Sequence, residues 1–292
     1  GAALVRGIQR HAMACVKHLA ANSIENSRFH VDVRISETTL REVYLPHFKR
    51  CVDEGAAAVM SAYNRVNGVH CGHNAHLLRR ILKEEWGFEG LVMSDFVFGI
   101  RDAEAAALGG LDIEMPARLH YHRRLKKLVQ QGRVPLQVVD EAVLRILSAK
   151  LRFAHVGQPE RYGPQSICSP QHLALARRSA VEGMVLLQNN PLADGAPLLP
   201  LAAPRIKTLA VLGALANTPN TGDNGSSRVR PPHVVTPLEG IKAAWNSGEV
   251  WFDTAAALRP ALALAKKADA VMIVAGYDFH DEGEKIGTGG DR

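Results

Sequence analysis

The chain has little that would mark it for metals, membranes or nucleic acid. Its four cysteines, Cys15, Cys51, Cys71 and Cys168, show no CxxC spacing, so neither a zinc site nor a dithiol redox centre is expected, and no metal or cofactor is called for. No apolar run approaches the roughly eighteen residues that cross a bilayer, which predicts a soluble protein without a membrane partner. The sequence opens at Gly1 without a charged stretch followed by an apolar core, so no signal peptide is in view and the compartment stays open. The segment "VAGYDFHDEG" lacks the GxGxxG turn that cradles a pyrophosphate, which argues against a Rossmann-type oxidoreductase. The net charge is +6, but the basic residues are spread among acids. The one basic run, "HRRLKK" at 122–127, carries no interleaved aromatics and reads as a solvated helix face, so nucleic acid is not expected as a partner.

What is present is an alternation of helices and single apolar strands. Helical spacing runs through "ALVRGIQRHAMA" to about Ala14, and "ACVKHLAAN" follows as a buried strand. A helix fits "SETTLREVYLPHFKRCVDEG", capped by Ser36 and closed by Gly55. Then come strand "AAVMSAYN", helix "HLLRRILKEEWG", strand "GLVMSDF", helix "RDAEAAALGG" and the short strand "LDIEM". Units repeating about every thirty residues predict parallel βαβ architecture. After a helix in "GRVPLQVVDEAVLRILSAKLRF", the stretch "VGQPERYGPQSICSP" is rich in Gly, Pro and Ser and reads as a linker. A second alternation follows: helix "QHLALARRSAVEG", strand "MVLLQN", strand "KTLAVLG", helix "PLEGIKAAW", strand "VWF", helix "RPALALAKKA" and strand "DAVMIVAG". Two α/β domains are therefore expected.

Polar residues fall just after the strands of the first domain: Asn64, Asp95 and Glu114. In barrels and open α/β sheets the ligand site lies at the carboxyl ends of the strands, so this placement carries chemistry. Asp95, in "FEGLVMSDFVFGI", has two readings on its own residues. "SD" before a helix is good capping sequence, and a carboxylate at a strand end is equally a nucleophile or base.

The segments "ACVKHLAAN", "VMSAYNRVNGVHCGHNAHLL", "EEWGFEGLVMSDF", "GGLDIEMP", "VDEAVLRILSAK", "VEGMVLLQN" and "EGEKIGTGGDR" resemble, in order, the successive motifs of glycoside hydrolase family 3, the β-glucosidase and β-xylosidase type. The resemblance implies the C-terminal part of a (β/α)8 barrel of TIM type over 1–155, a linker over 156–171, and part of an α/β sandwich domain over 172–292. It also implies a piece of a longer chain, lacking the barrel strands that carry a sugar-binding aspartate and arginine in relatives.

By the same resemblance Asp95 is the catalytic nucleophile. Lys17 and His18 bind sugar hydroxyls in the first subsite, Met60 and Tyr63 surround that subsite with the tyrosine hydroxyl near the nucleophile, and Arg101 lies close by. Phe96 stands where many relatives have tryptophan, which implies a smaller stacking wall. The acid/base comes from the second domain, in "YDFHDEGEKIGTGGDR"; Glu284 fits family loops of the "SGEGY" kind better, and Glu282 stays open. Asp223, Asn224 and Arg228 belong to the other loop that faces the barrel. "KHLAAN" replaces the loop after "KH(I/F)PG" of the N-acetylhexosaminidase branch, which points to the glucosidase-like branch. The expectation is a retaining β-glycoside hydrolase releasing terminal glucose or xylose from β-linked oligosaccharides or glycosides, with an inactive carbohydrate-binding remnant as the alternative and the oligomeric state open.

Overall fold

The computed structural model describes residues 1–154, 156, 162–193, 195–223 and 225–284. They form two compact units, Gly1–His172 and Leu173–Arg292.

In the first unit, β1 (Cys15–Leu19), β3 (Ala58–Ser61) and β6 (Leu91–Met93) make a parallel sheet in the order β1-β3-β6. All four residues of β3 are buried, which is why its sequence is a continuous apolar run rather than an alternation. A smaller sheet sets β2 (Asp32–Val33) parallel to β4 (Arg65–Val66), which turns back antiparallel into β5 (Val69–His70). The core under the main sheet joins Leu19, Val59 and Val92 to Leu77, Leu78, Ile81 and Leu82 of the helical segment His76–Glu85.

Several local expectations are corrected. Helix α1 (Ala2–Ile8) stops well short of Ala14, and the chain continues in turns. The helix expected over 36–55 is broken. Ser36 does cap its start, accepting the Thr39 N–H at 3.1 Å, and α2 (Glu37–Thr39) runs on through wider turns over Leu40–Tyr44. Pro46 then opens a new helix, α3 (Pro46–Asp53), because a residue without an N–H fits a first helical turn and not an interior. "LDIEM" is not a strand but a single bridge, Ile113 to Met93. Asp112 explains this: its Oδ2 takes the Val92 N–H at 2.7 Å, so a side chain replaces the ladder carbonyl.

Asp112 also ties the sheet to the helical segment His76–Glu85. Its Oδ1 lies 2.6 Å from Lys83 Nζ, and both side chains are almost fully buried. Burial pulls the Lys83 ammonium below its ordinary pKa and pushes the Asp112 carboxyl above its own, against the attraction between them. Removing one partner strands the other charge. Lys83→Met is therefore expected to cost about 3–5 kcal/mol in urea denaturation, and adding Asp112→Asn to it should recover part of that loss. A Lys83→Met protein as stable as wild type would show that the pair holds nothing.

Beyond β6, α4 (Ala103–Gly109) is capped by Asp102, whose Oδ1 accepts the Ala105 N–H at 2.7 Å. Short α5 (Lys126–Gln130) and the longer α6 (Leu136–Arg152) follow, and α6 packs Ala149 and Ile146 on Ala58 and Leu91.

The second unit opens with α7 (Pro170–Gly183), which begins within the last residues of the first. Its sheet is parallel in the order β8-β7-β9, from β7 (Thr208–Leu212), β8 (Glu249–Asp253) and β9 (Ala270–Ile273). Helices α8 (Pro237–Ala244) and α9 (Leu258–Ala265) connect the strands, and α8 opens on a capping box of Thr236 and Glu239. The strand expected at "MVLLQN" is absent: Met184 to Leu187 are exposed, with no ladder partner among the described residues. An apolar run becomes a strand only beside another strand's free edge, which its own composition does not supply.

Candidate active site

The parallel strands of the first unit deliver their polar residues to one end. Asp95 follows β6 and is 6% exposed. Its Oδ1 accepts the N–H of Phe96 at 2.7 Å, while Oδ2 is buried without a hydrogen bond among the described residues. His18 Nε2 lies 3.5 Å from Oδ2. The two readings of Asp95 separate here, because the cap of α4 is Asp102 and the Asp95 carboxylate is not engaged in capping.

His18 and Lys17 leave β1 toward a cleft of about 440 Å³, shared with Asn22, Tyr44 and His47. Tyr63, buried after β3, donates its hydroxyl to the Phe96 carbonyl at 2.7 Å and so braces the residue next to Asp95. Met60 is buried in β3 and registers with Met93 of β6. Phe96 is 44% exposed. Arg101 sits with its guanidinium 5.6 Å from the Phe98 ring.

Two residues outside the sequence expectations join this group. Arg28, 5% exposed and paired with Glu25 at 2.7 Å, lies over the rings of Phe29 and Tyr63 at 4.8 and 5.3 Å. Phe29 packs tilted against Tyr63 and edge-on against Phe98, with ring centroids 4.8 and 5.3 Å apart. Nothing in "NSRFH" announces this, since the segment has neither strand nor helix periodicity. The strand-end residues Asn64 and Glu114 prove structural. Asn64 Nδ2 donates to the Ala20 and Arg65 carbonyls at 3.2 Å, and the Glu114 carboxylate accepts the N–H groups of Leu119, His120 and Tyr121.

In the second unit, Glu284 and Glu282 are held differently. The Ser226 N–H donates to Glu284 Oε2 at 2.6 Å, and the Ser226 hydroxyl donates to Oε1 at 2.8 Å. Gly225 is required for this approach, because a Cβ there would collide with the Glu284 side chain. Asp223 shapes the same loop, accepting the Gly225 N–H at 2.9 Å and the Ser227 hydroxyl at 2.7 Å. Arg228 closes the turn, its N–H donating to the Gly225 carbonyl at 3.1 Å, and Asn224 lies outside the described residues. The Glu282 side chain is exposed, and its backbone N–H donates to the Asp278 carbonyl at 2.9 Å.

The chain is similar to known proteins over most of its length. The model of the glycosyl hydrolase family 3 N terminal domain matches residues 1–149, and that of the C-terminal domain matches residues 184–292. A β-glucosidase of Bacteroides ovatus is 35% identical over 263 residues, covering 85% of this chain and 35% of its own. A β-glucosidase of Rhizobium radiobacter is 37% identical, over 84% of this chain and 30% of its own. A probable β-D-xylosidase of Arabidopsis thaliana is 33% identical, over 94% and 38%. Among solved structures, a Bifidobacterium adolescentis β-glucosidase superposes with a TM-score of 0.77 at 30% identity, over 93% of this chain and 39% of that one. The chain thus spans about a third of the length of the curated relatives it matches.

Proposed function

Since the chain belongs to glycosyl hydrolase family 3, we propose that it works as a retaining β-glycosidase on terminal β-linked glucose or xylose of oligosaccharides or glycosides. The observation that carries this reading is Asp95: a buried carboxylate with one oxygen bonded within its own loop and the other without a hydrogen bond among the described residues, 3.5 Å from His18 Nε2. The first unit is read as the C-terminal part of a (β/α)8 barrel, supported by its parallel strands, intervening helices and a polar cluster at their carboxyl ends. The domain limits are read as 1–155 and 172–292.

In the proposed reaction Asp95 attacks the anomeric carbon while Glu284 protonates the departing oxygen. The carboxylate of Glu284 then takes a proton from water, which releases the sugar from Asp95 with its β configuration restored. The test is hydrolysis of aryl β-glucoside and aryl β-xyloside, with the first-formed anomer read by proton NMR. First release of the α-anomer would overturn the retaining reading, and no hydrolysis of either substrate would favour the binding remnant.

Lys17 and His18 are proposed to grip sugar hydroxyls, supported by their shared place on one cleft and by the 3.5 Å between His18 Nε2 and Asp95 Oδ2. Replacing either with Ala should lower kcat/KM by two to three powers of ten, roughly 3–4 kcal/mol of transition-state binding. Unchanged kcat/KM in both variants would remove them from the site.

A further inference from the structure

Next to the loop that carries Asp95 and Arg101 stands an imidazole that the proposed chemistry does not use. His73 ends the short turn Cys71–His73, and its Nε2 lies 3.0 Å from the Arg101 N and 3.4 Å from the Asp102 N. Backbone N–H groups only donate, so Nε2 must be an acceptor, and the ring is neutral with its proton on Nδ1. We propose that His73 is a positioning residue: a neutral acceptor that fixes the backbone at Arg101 and Asp102, and with it the loop that presents Asp95. This rests on the reading of Asp95 as nucleophile.

The loop packs tightly on the turn that carries His73. Loop 95–101 folds back so closely that a Cβ on Gly99 would strike the backbone of Asp95, and one on Gly72 would strike the Gly99 carbonyl. The turn ending at His73 is thus wedged directly under the loop, and its imidazole reaches the point where the loop becomes α4. Asp102 needs that point held, because its own side chain caps α4. Burial pushes the His73 imidazole down to about 4, helped by His70, whose ring lies 5.8 Å away, and by His120 and Arg101, with Asp102 opposing. At pH 7 His70 is neutral too, its Nε2 accepting from Arg65 Nε at 3.2 Å while Nδ1–H donates to the Tyr63 carbonyl at 3.2 Å, so it opposes the His73 proton only at low pH, where it is itself charged.

The sign of the pH effect follows. Acceptance by Nε2 is present at neutral pH and is lost as the pH falls through about 4, where the ring gains a second N–H facing two donors.

Two kinds of measurement test this. In wild type, nitrogen-15 NMR of the imidazoles should show His73 unprotonated at Nε2 at pH 7, and hydrogen exchange of the Arg101 and Asp102 amides should show protection that disappears below about pH 4. A proton on Nε2 at pH 7, or amides unprotected there, would overturn the proposal whether or not the protein cleaves glycosides. Among variants, the oxygen of His73→Gln reaches the Nε2 position, and that of the shorter His73→Asn does not. His73→Gln should retain kcat/KM within about 3-fold and keep the two amides protected at low pH. His73→Asn should lose 10-fold or more, chiefly in kcat, and expose both amides. Equal behaviour of the two variants in exchange would sink the proposal. Absence of turnover in wild type, with the exchange pattern intact, would instead sink the proposed function alone.

Discussion

Replacement of Asp95 by Ala is expected to lower turnover of aryl β-glucoside by about four powers of ten or more, ~5.5 kcal/mol of barrier, while the protein stays folded. The size follows from the proposed role. Without the carboxylate no covalent glycosyl intermediate forms, and the remaining site offers only positioning and the acid. The structural cost is small by comparison, because the hydrogen bond that Oδ1 makes to the N–H of the next residue is worth about 1 kcal/mol. The variant also makes a prediction of stereochemistry. Azide enters the space vacated by the carboxylate, forms the C–N bond from the α face as the leaving oxygen departs with a proton, and yields the α-glycosyl azide. Wild-type turnover in a folded Asp95→Ala protein would end the assignment.

The sequence made the placement of Asp95 legible because a parallel strand buried on both faces has no other way to be written than as a short apolar run. The polar residue ending such a run in "GLVMSDF" is conspicuous for that reason. The same rule failed at "LDIEM" and "MVLLQN". Periodicity reports that a segment suits a ladder; it cannot report that Asp112 will satisfy Val92 through its side chain, or whether an edge stands ready beside Met184 to Leu187. Strand-end position also overcounted. Asn64 and Glu114 sit where chemistry is expected and are engaged by backbone groups. Arg28, Phe29 and His73 were passed over for the converse reason. Each comes to the site through a loop or turn and meets a partner 28 to 35 residues away in the chain, a separation that local pattern does not encode.

The second unit carries the remaining choice, between Glu284 and Glu282. A general acid matters most for poor leaving groups, since dinitrophenolate departs without a proton. Glu284→Ala is therefore expected to cost two to four powers of ten on an alkyl glucoside or disaccharide and far less on the dinitrophenyl glycoside. Glu282→Ala should act nearly uniformly across leaving groups, as fits an exposed side chain. The arrangement around Glu284 supports the choice. The Ser226 N–H is a fixed donor that keeps Oε2 an acceptor, whereas the Ser226 hydroxyl rotates, so Oε1 is the oxygen able to take up and release a proton. Loss of the base also slows release of the sugar from Asp95, and azide should relieve this by attacking the glycosyl-enzyme to give the β-glycosyl azide. That product is the opposite anomer to the one from Asp95→Ala, so one reagent distinguishes the two carboxylates. If the leaving-group dependence and the β-azide belong to Glu282→Ala instead, the roles of the two glutamates are exchanged. If neither variant shows them, the acid is supplied from elsewhere, and the bond between Glu284 and Ser226 serves only to hold the loop.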